Sequence, residues 1–184
     1  MKIRDMILIS LFAALTAVGA FIKIPTPLVP FTLQFLFCAY SGVFLGAKYG
    51  LYSQLLYVGI GLAGIPIFTK GGGIHYIYQP TFGYLIGFIF CAFIIGLVTQ
   101  NLKKITFIKV YIPVVVGLMV VYAIGVPYLY YMFNLTVEDP ITFKTAIAWG
   151  FTPYIVPDLI LSALVAFTSV KVIPILRKHG YIKY

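Results

Sequence analysis

One acidic residue stands inside an otherwise apolar stretch near the carboxyl end of the chain. Asp158 is the only charged residue between positions 154 and 170. A carboxylate accepts hydrogen bonds, so this side chain could bind the N–H or O–H donors of a polar ligand. It could also be a helix-start carboxylate after Pro157, where the helix dipole stabilises negative charge. The ligand-binding interpretation is favoured, because an acid within a membrane-spanning segment indicates a functional site by default.

Uncharged polar residues in or near other apolar stretches could contribute to the same chemistry. Each amide or hydroxyl could bond a ligand, and each could equally bond a neighbouring helix, which for any single residue is the favoured interpretation. Tyr84 belongs to a set of aromatic residues that could either lie at a membrane interface or wall an apolar pocket. The uncharged candidates are Thr32, Gln34, Gln54, Gln79 and Thr81.

Several kinds of catalytic site are missing from the sequence. There is no phosphate-binding loop of the Walker type and no H-E-x-x-H metal motif. His75 and His179 are far apart, and neither Cys38 nor Cys91 has a basic neighbour in sequence that would activate its thiol. The sequence therefore predicts no catalytic residues, no metal site, no cofactor and no enzymatic activity.

The composition places the chain in a membrane. Of its 184 residues, 62% are hydrophobic and 9% are charged, whereas soluble domains have about 25% charged residues. No soluble linker separates a second unit, so we predict one membrane domain over residues 1–184. Because helices satisfy their backbone hydrogen bonds internally, we predict an all-α bundle of six transmembrane helices. The predicted spans are about 6–22, 31–47, 50–67, 82–100, 110–132 and 154–174.

Basic residues are unevenly distributed between the two sides of this arrangement. With an even number of spans, one side carries ten of the 13 lysines and arginines, and the other carries only Lys23, Lys70 and Lys144. Basic residues favour the cytoplasmic side, so both termini are predicted to be cytoplasmic. The net charge of +9 is then explained by anionic lipid headgroups and not by nucleic acid. The chain is predicted to be a multi-pass protein of the plasma membrane.

Of three connections on the predicted outer side, the first two are expected to be structured and the third to contain a short helix. The first, 23–30, contains three prolines and cannot be helical throughout. The second, 69–80, contains three consecutive glycines. The third begins with Asp139 and Pro140, which suit the N-cap and first position of a short helix ending near Trp149.

Small residues recur at helical spacing. Ala13, Ala17 and Ala20 in the first span permit close helix approach, either within the bundle or to another membrane subunit. Glycines at 42, 46 and 50 repeat every fourth residue and are expected to form an internal packing seam, as are the glycines at 83 and 87.

The order of these motifs resembles one known family, the BioY biotin transporters. These are the substrate-binding S components of energy-coupling factor transporters. The resemblance covers most of residues 10–100 and returns at 153–166. It is carried by Pro25-Thr-Pro-Leu-Val-Pro-Phe-Thr-Leu-Gln34, by Gly42, Gly46, Gly50, Gln54, Tyr57, Gly61, Gly64, Pro66 and Phe68, by the glycines at 71–73, and by Pro80-Thr81, Gly83-Tyr84 and Gly87-Phe88.

The resemblance implies a prokaryotic uptake protein that captures biotin from outside the cell. It implies two kinds of partner, a transmembrane T component and two ATP-binding cassette ATPases, which would supply the energy. In similar proteins an alanine motif in the first helix docks on the T component. That assigns partner docking to Ala13, Ala17 and Ala20.

One position departs from the family pattern. The last helix of similar proteins reads Pro-Gly-Asp, two further residues and then Lys, whereas here Asp158 is retained and Leu161 replaces the Lys. Either other groups compensate, or this chain binds a different small carboxylic acid such as lipoate or dethiobiotin. A small membrane enzyme and a passive channel are alternatives from other classes.

The resemblance and the residue types together give a set of expected ligand contacts. Asp158 and Gln79 are expected to bond the polar head of the ligand, and Tyr84 to wall its apolar ring. Thr81 and Gln34 are further expected contacts. Lys70 is the expected partner of the ligand carboxylate, ahead of Lys23 and Lys144.

Overall fold

The computed structural model describes residues 2–24, 29–136 and 139–180. Within them the chain is mainly α-helical, and the predicted helical bundle is confirmed. Two two-residue strands, β1 (Lys23–Ile24) and β2 (Phe31–Thr32), pair antiparallel, and a 3-10 helix occupies Ile74–Tyr78. The α-helices are α1 (Ile3–Phe21), α2 (Gln34–Leu62), α3 (Phe82–Thr99), α4 (Phe107–Thr136), α5 (Phe143–Gly150) and α6 (Ile155–Lys178).

Four of these helices, α1, α3, α4 and α6, are long and apolar enough to cross a bilayer. α1, with 19 residues, extends over about 28 Å at 1.5 Å per residue, close to the thickness of the hydrocarbon core. These four helices correspond to the first, fourth, fifth and sixth predicted spans. The prediction of one domain over residues 1–184 stays a prediction.

α2 is a helical hairpin that covers much of the second and third predicted spans, and it is not among the four helices long and apolar enough to cross a bilayer. Gly46 interrupts it with φ 75° and ψ −178°, a conformation that side chains with a Cβ rarely adopt. The two arms run antiparallel, so that a Cβ added to Gly50 would lie 3.1 Å from the Cα of Gly42. The expected packing seam is therefore confirmed at Gly42 and Gly50. Gly46 forms the turn and also packs closely against α3, because a Cβ added to Gly96 would lie 2.3 Å from the carbonyl carbon of Gly46.

Backbone groups released by this turn find partners inside the bundle. The N–H of Ala47 donates to the side-chain oxygen of Gln100, just after α3, at 3.1 Å. α3 then packs against α4 at close range, because a Cβ added to Gly87 would lie 2.8 Å from the Cα of Val121. α1 packs mainly against α2, and α6 packs mainly against α4.

The two ends of the bundle differ in character. One end, which we call the β-hairpin end, contains β1, β2, the segment 63–81 and α5. The other, which we call the basic end, contains most of the lysines and arginines. There the Arg177 guanidinium donates to the carbonyl oxygens of Leu102 and Lys103, at 2.7 and 3.2 Å, and so joins α6 to the connection between α3 and α4.

The three structured connections all lie at the β-hairpin end. In the first, the two strands pair, whereas the prolines predicted to be rigid at 25 and 27 lie outside the described residues. The third connection differs from the prediction. α5 begins at Phe143 and not after Asp139-Pro140, because the Thr142 hydroxyl accepts the N–H of Thr145 at 3.2 Å and acts as the N-cap.

Candidate functional site

A cavity opens at the β-hairpin end of the bundle, among α2, α3, α4 and α6. It holds about 600 Å³ of empty space, counted with its open mouth. Its wall is largely apolar and aromatic, with hydroxyl groups, one amide and one carboxylate. The lining residues are Val29, Pro30, Phe31, Thr32, Gln34, Phe35, Thr69, Tyr76, Thr81, Tyr84, Leu85, Phe88, Leu118, Val121, Tyr122, Tyr154 and Asp158.

Asp158 is the one charged residue among the described residues that line the cavity. It lies in the first turn of α6, and only 7% of its surface is exposed. Its backbone N–H already donates to the carbonyl of Tyr154, at 2.9 Å. Its Oδ2 accepts a hydrogen bond from the hydroxyl of Tyr122 on α4, at 2.5 Å. The carboxylate therefore reaches across to α4 beside the cavity instead of capping its own helix.

Tyr84 lines the cavity from α3, as the sequence predicts. Its hydroxyl donates to the carbonyl of Gly150, at the end of α5, at 2.9 Å. Gly125 on α4 lies against the ring, because a Cβ there would be 2.6 Å from the ring carbon Cε1. The ring also meets that of Tyr122 edge-on, with centroids 6.4 Å apart and an interplanar angle of 89°. These contacts fix the orientation of the ring.

The paired strands and the residues just before β2 form a roof over the cavity, and side-chain contacts attach this roof to the bundle. The Tyr154 hydroxyl donates to the carbonyl of Val29. The Tyr154 ring is parallel to that of Phe31, with centroids 6.5 Å apart. On the other side, Lys23 donates from Nζ to the carbonyl of Thr69 at 2.9 Å. The roof is thus joined both to α6 and to the segment between α2 and α3.

Gln34 lines the cavity, but its amide is engaged within the protein. Its Oε1 accepts from the Thr32 hydroxyl at 3.0 Å, and its Nε2 donates to the Tyr57 hydroxyl at 2.8 Å. Tyr57 in turn donates to the carbonyl of Ile67, at 3.2 Å. The predicted site residue therefore holds the entrance of α2 in place and offers little free hydrogen-bonding capacity to a ligand.

Thr81 belongs to a chain of three hydroxyl groups on the cavity wall. The Thr69 and Tyr76 hydroxyls are 2.9 Å apart, and the Tyr76 and Thr81 hydroxyls are 3.4 Å apart. Three hydroxyls carry three protons, and two hydrogen bonds use two of them. One proton of this chain is left to donate to an acceptor on a ligand.

Two predicted site residues lie away from the wall. Gln79 follows the 3-10 helix and is half-buried, and Lys70 is exposed; neither is among the described residues that line the cavity. Lys23 is tied to the cavity wall by its side chain, since its Nζ donates to the carbonyl of the lining residue Thr69 at 2.9 Å. Lys144 is exposed on α5.

The alanines predicted to dock a partner lie on the inner side of α1. Ala13 and Ala20 are buried in the chain, and Ala17 is half-buried. The exposed side of α1 is a separate stripe at helical spacing, which we call the outward stripe. It consists of Ile3, Ile7, Leu11, Ala14, Val18 and Phe21.

Tyr122 is one of several lining residues that sequence reasoning did not single out, and it is the one that contacts Asp158. It lies deep within the fifth apolar run, away from the aromatic residues near the predicted outer side. The only signal was a general one: a buried tyrosine hydroxyl needs a hydrogen-bond partner and Asp158 is an acceptor, but other tyrosines in apolar runs share this property.

No group of three or more metal-binding side chains occurs in the described ranges 2–24, 29–136 and 139–180. What the wall offers a ligand is a carboxylate acceptor, hydroxyl groups and a large apolar surface. This combination suits a small molecule with an N–H-bearing polar head and an apolar body.

Comparison with known proteins gives consistent results along nearly the whole chain. A protein called probable biotin transporter BioY, from Lysinibacillus sphaericus, is 44% identical over 179 residues, covering 97% of this chain and 91% of the relative. Biotin transporter BioY from Thermotoga maritima is 40% identical over 169 residues, covering 91% of this chain and 95% of the relative.

A solved structure has the same fold. The crystal structure of the S component for biotin from an ECF-type ABC transporter superposes with a TM-score of 0.82 at 25% identity, covering 96% of this chain and 92% of that chain. The sequence model described as the BioY family matches residues 1–178. With this match and relatives at 44% and 40% identity, the chain belongs to the BioY family.

Proposed function

We propose that this chain is the substrate-binding S component of an energy-coupling factor transporter and that it captures biotin in the cavity. The observation that carries the proposal is the single carboxylate, Asp158, in the wall of an otherwise apolar and hydroxyl-lined pocket. The solved S component for biotin and the relatives named as biotin transporters support the choice of ligand. The chain is accordingly a transport subunit and not an enzyme.

The chemistry of biotin matches the wall group by group. Its ureido ring carries two N–H donors, and the Asp158 carboxylate is the acceptor that would receive one of them. The aromatic rings of Tyr84 and Phe88 would cover the apolar part of the bicycle. The spare proton among Thr69, Tyr76 and Thr81 would go to an acceptor on the ligand.

The carboxylate of the ligand would lie toward the mouth of the cavity. Among the described lining residues there is no lysine or arginine, so a cation must come from the rim. We assign this role to Lys23, whose ammonium group already contacts the backbone of the lining residue Thr69. For Lys70, the residue expected from the sequence, the side chain is exposed and has no hydrogen bond to a lining residue within the described part of the chain.

The partners follow from the same proposal. A transmembrane T component and two ATP-binding cassette ATPases would act with this chain, which has no phosphate-binding loop of its own. The basic end would face the cytoplasm, in agreement with the positive-inside rule, and the cavity would open outward. A T component would reach α1 along the outward stripe, where Ala14 leaves room for close helix approach.

A titration of the purified full-length chain tests the ligand assignment. The wild-type protein should bind biotin more tightly than dethiobiotin and much more tightly than lipoate, which has no ureido group. Asp158→Asn should weaken biotin binding by about tenfold or more, because hydrogen bonds to charged groups contribute about 1.5–3 kcal/mol.

A matched control for that variant is available at Ser162, one turn further along α6. Its hydroxyl donates to the carbonyl of Asp158 at 2.8 Å, and it does not line the cavity. Ser162→Ala should leave biotin affinity within about twofold of the wild type. Equal affinity of Asp158→Asn and wild type for biotin would refute the assignment of the polar head, and a preference for lipoate would refute the choice of biotin.

A further inference from the structure

We propose that Tyr122 is a positioning residue for ligand recognition. By donating to Oδ2 of Asp158, it fixes the carboxylate so that Oδ1 is presented to the N–H group of the ligand. The inference rests on the proposed function, since it concerns the same cavity, but it adds a residue that neither the sequence pattern nor the resemblance assigns.

The hydrogen-bond geometry around Asp158 carries the first step. The Tyr122 hydroxyl lies 2.5 Å from Oδ2. Within residues 2–24, 29–136 and 139–180, Oδ1 has no hydrogen-bond partner. It is also not one of the unpartnered side-chain atoms that are completely shielded from solvent. Both side chains line the cavity. One carboxylate oxygen is thus occupied by the protein, and the other is open to the cavity.

The Tyr122 ring is held firmly enough to act in this way. Phe151, just after α5, meets the ring edge-on with centroids 4.9 Å apart and an interplanar angle of 80°. Tyr84 meets it from α3 at 89°. Only 6% of Tyr122 is exposed. Because the ring is packed between two others, its hydroxyl cannot leave Oδ2 without rearranging its neighbours.

The other tyrosine hydroxyls of the wall do not compete for the open oxygen. The Tyr84 hydroxyl donates to the carbonyl of Gly150, and the Tyr154 hydroxyl donates to the carbonyl of Val29. Each phenol has a single proton, so neither is available to Oδ1. The open oxygen is therefore reserved for a donor that the ligand brings.

A neutral donor beside Asp158 also sets the chemical class of the ligand head. A tyrosine bonds the carboxylate without neutralising it, whereas a lysine would form an ion pair. At the position three residues after Asp158, this chain has Leu161, which is apolar and half-buried. The site thus favours a head group with N–H donors, such as a cyclic urea, over a head group that only accepts.

The test compares two tyrosine variants in the purified full-length protein. Tyr122→Phe and Tyr84→Phe each remove one hydroxyl that is bonded within the protein, but only the first hydroxyl is bonded to Asp158. We expect Tyr122→Phe to weaken biotin binding about tenfold and Tyr84→Phe to weaken it less than about threefold. Similar unfolding temperatures for the two ligand-free variants would show that the difference in affinity does not reflect stability.

A second comparison separates positioning from a general effect on the cavity. The ratio of affinities for biotin and for its analogue methylated on both ureido nitrogens should fall about tenfold in Tyr122→Phe and stay unchanged in Ser162→Ala, whose hydroxyl lies outside the cavity wall. An equal loss of affinity for both ligands in Tyr122→Phe would overturn the inference, as would no loss for either.

An infrared measurement without ligand keeps the inference separate from the proposed function. The carboxylate band of Asp158, identified by its disappearance in Asp158→Asn, should shift in Tyr122→Phe and not in Tyr84→Phe. An unshifted band would overturn the positioning role even if biotin binds. Failure of the wild-type protein to bind biotin, with the band shifted as expected, would overturn the proposed ligand and leave the positioning of the carboxylate established.

Discussion

The side-chain amide of Gln34 donates to the hydroxyl of Tyr57 at 2.8 Å, although 23 positions separate the two residues along α2. In an uninterrupted helix they would be about 35 Å apart. The bond therefore joins the open ends of the two arms of a hairpin, directly beside the cavity. It makes the position of the cavity wall depend on the turn at Gly46, at the opposite end of the bundle.

Substitution of that glycine tests this dependence. Gly46→Ala should destabilise the protein by more than about 1 kcal/mol, because a Cβ is disfavoured at φ 75°. Gly59→Ala is the matched control in the same helix, since a Cβ there would have no neighbour within 4 Å. Thermal unfolding in detergent should show a clear loss for the first variant only. Equal unfolding temperatures for the two variants would contradict the hairpin turn.

The rim cation can be tested with a ligand that lacks the carboxylate. Lys23→Met should weaken biotin binding by about twofold to fivefold, a modest effect because the ammonium group is exposed. It should leave the affinity for biotin amide unchanged, since that ligand has no negative charge to lose. Lys70→Met, which changes an exposed lysine away from the wall, should affect neither ligand. A larger effect of Lys70→Met than of Lys23→Met would restore the assignment made from the sequence.

Adjacent alanines in α1 distinguish packing inside the chain from docking of a partner. Ala13→Leu should lower the stability of the isolated protein by about 1–3 kcal/mol, because the added carbons enter a closely packed region. Ala14→Leu should leave stability and biotin affinity unchanged but reduce co-purification of the T component. Full recovery of the complex with Ala14→Leu would exclude the outward stripe as the contact surface.

The helical framework could be predicted from the sequence, because lipid leaves few choices. Charge-free runs long enough to cross a bilayer must be helical, and α1, α3, α4 and α6 follow them closely. The turn at Gly46 was harder to place. A glycine that recurs at every fourth position looks the same in the sequence whether it packs against a helix or reverses the chain. The start of α5 was misplaced for a similar reason, as both Asp139 and Thr142 are good N-cap residues.

The candidate site was only partly predictable. Asp158 could be found because a single charge in an apolar run is conspicuous. Tyr122 could not be distinguished from other aromatic residues without knowing that α4 brings it against α6. The positions of Gln79 and Lys70 depend on how the segment 63–81 folds back over α2, which no periodic pattern encodes.

The roof of the cavity is a direct continuation of α1. A single residue, Ile22, separates the last residue of α1 from β1, and the N–H of Leu33, just after β2, bonds the carbonyls of Gly19 and Ile22 at 3.1 and 3.3 Å. No residue of α1 itself lines the cavity among the described residues. A tilt of α1 against its neighbours would thus displace Val29 and Phe31 of the roof, while Asp158 and Tyr122, on α6 and α4, would keep their positions. The cavity would then open without disturbing its polar group.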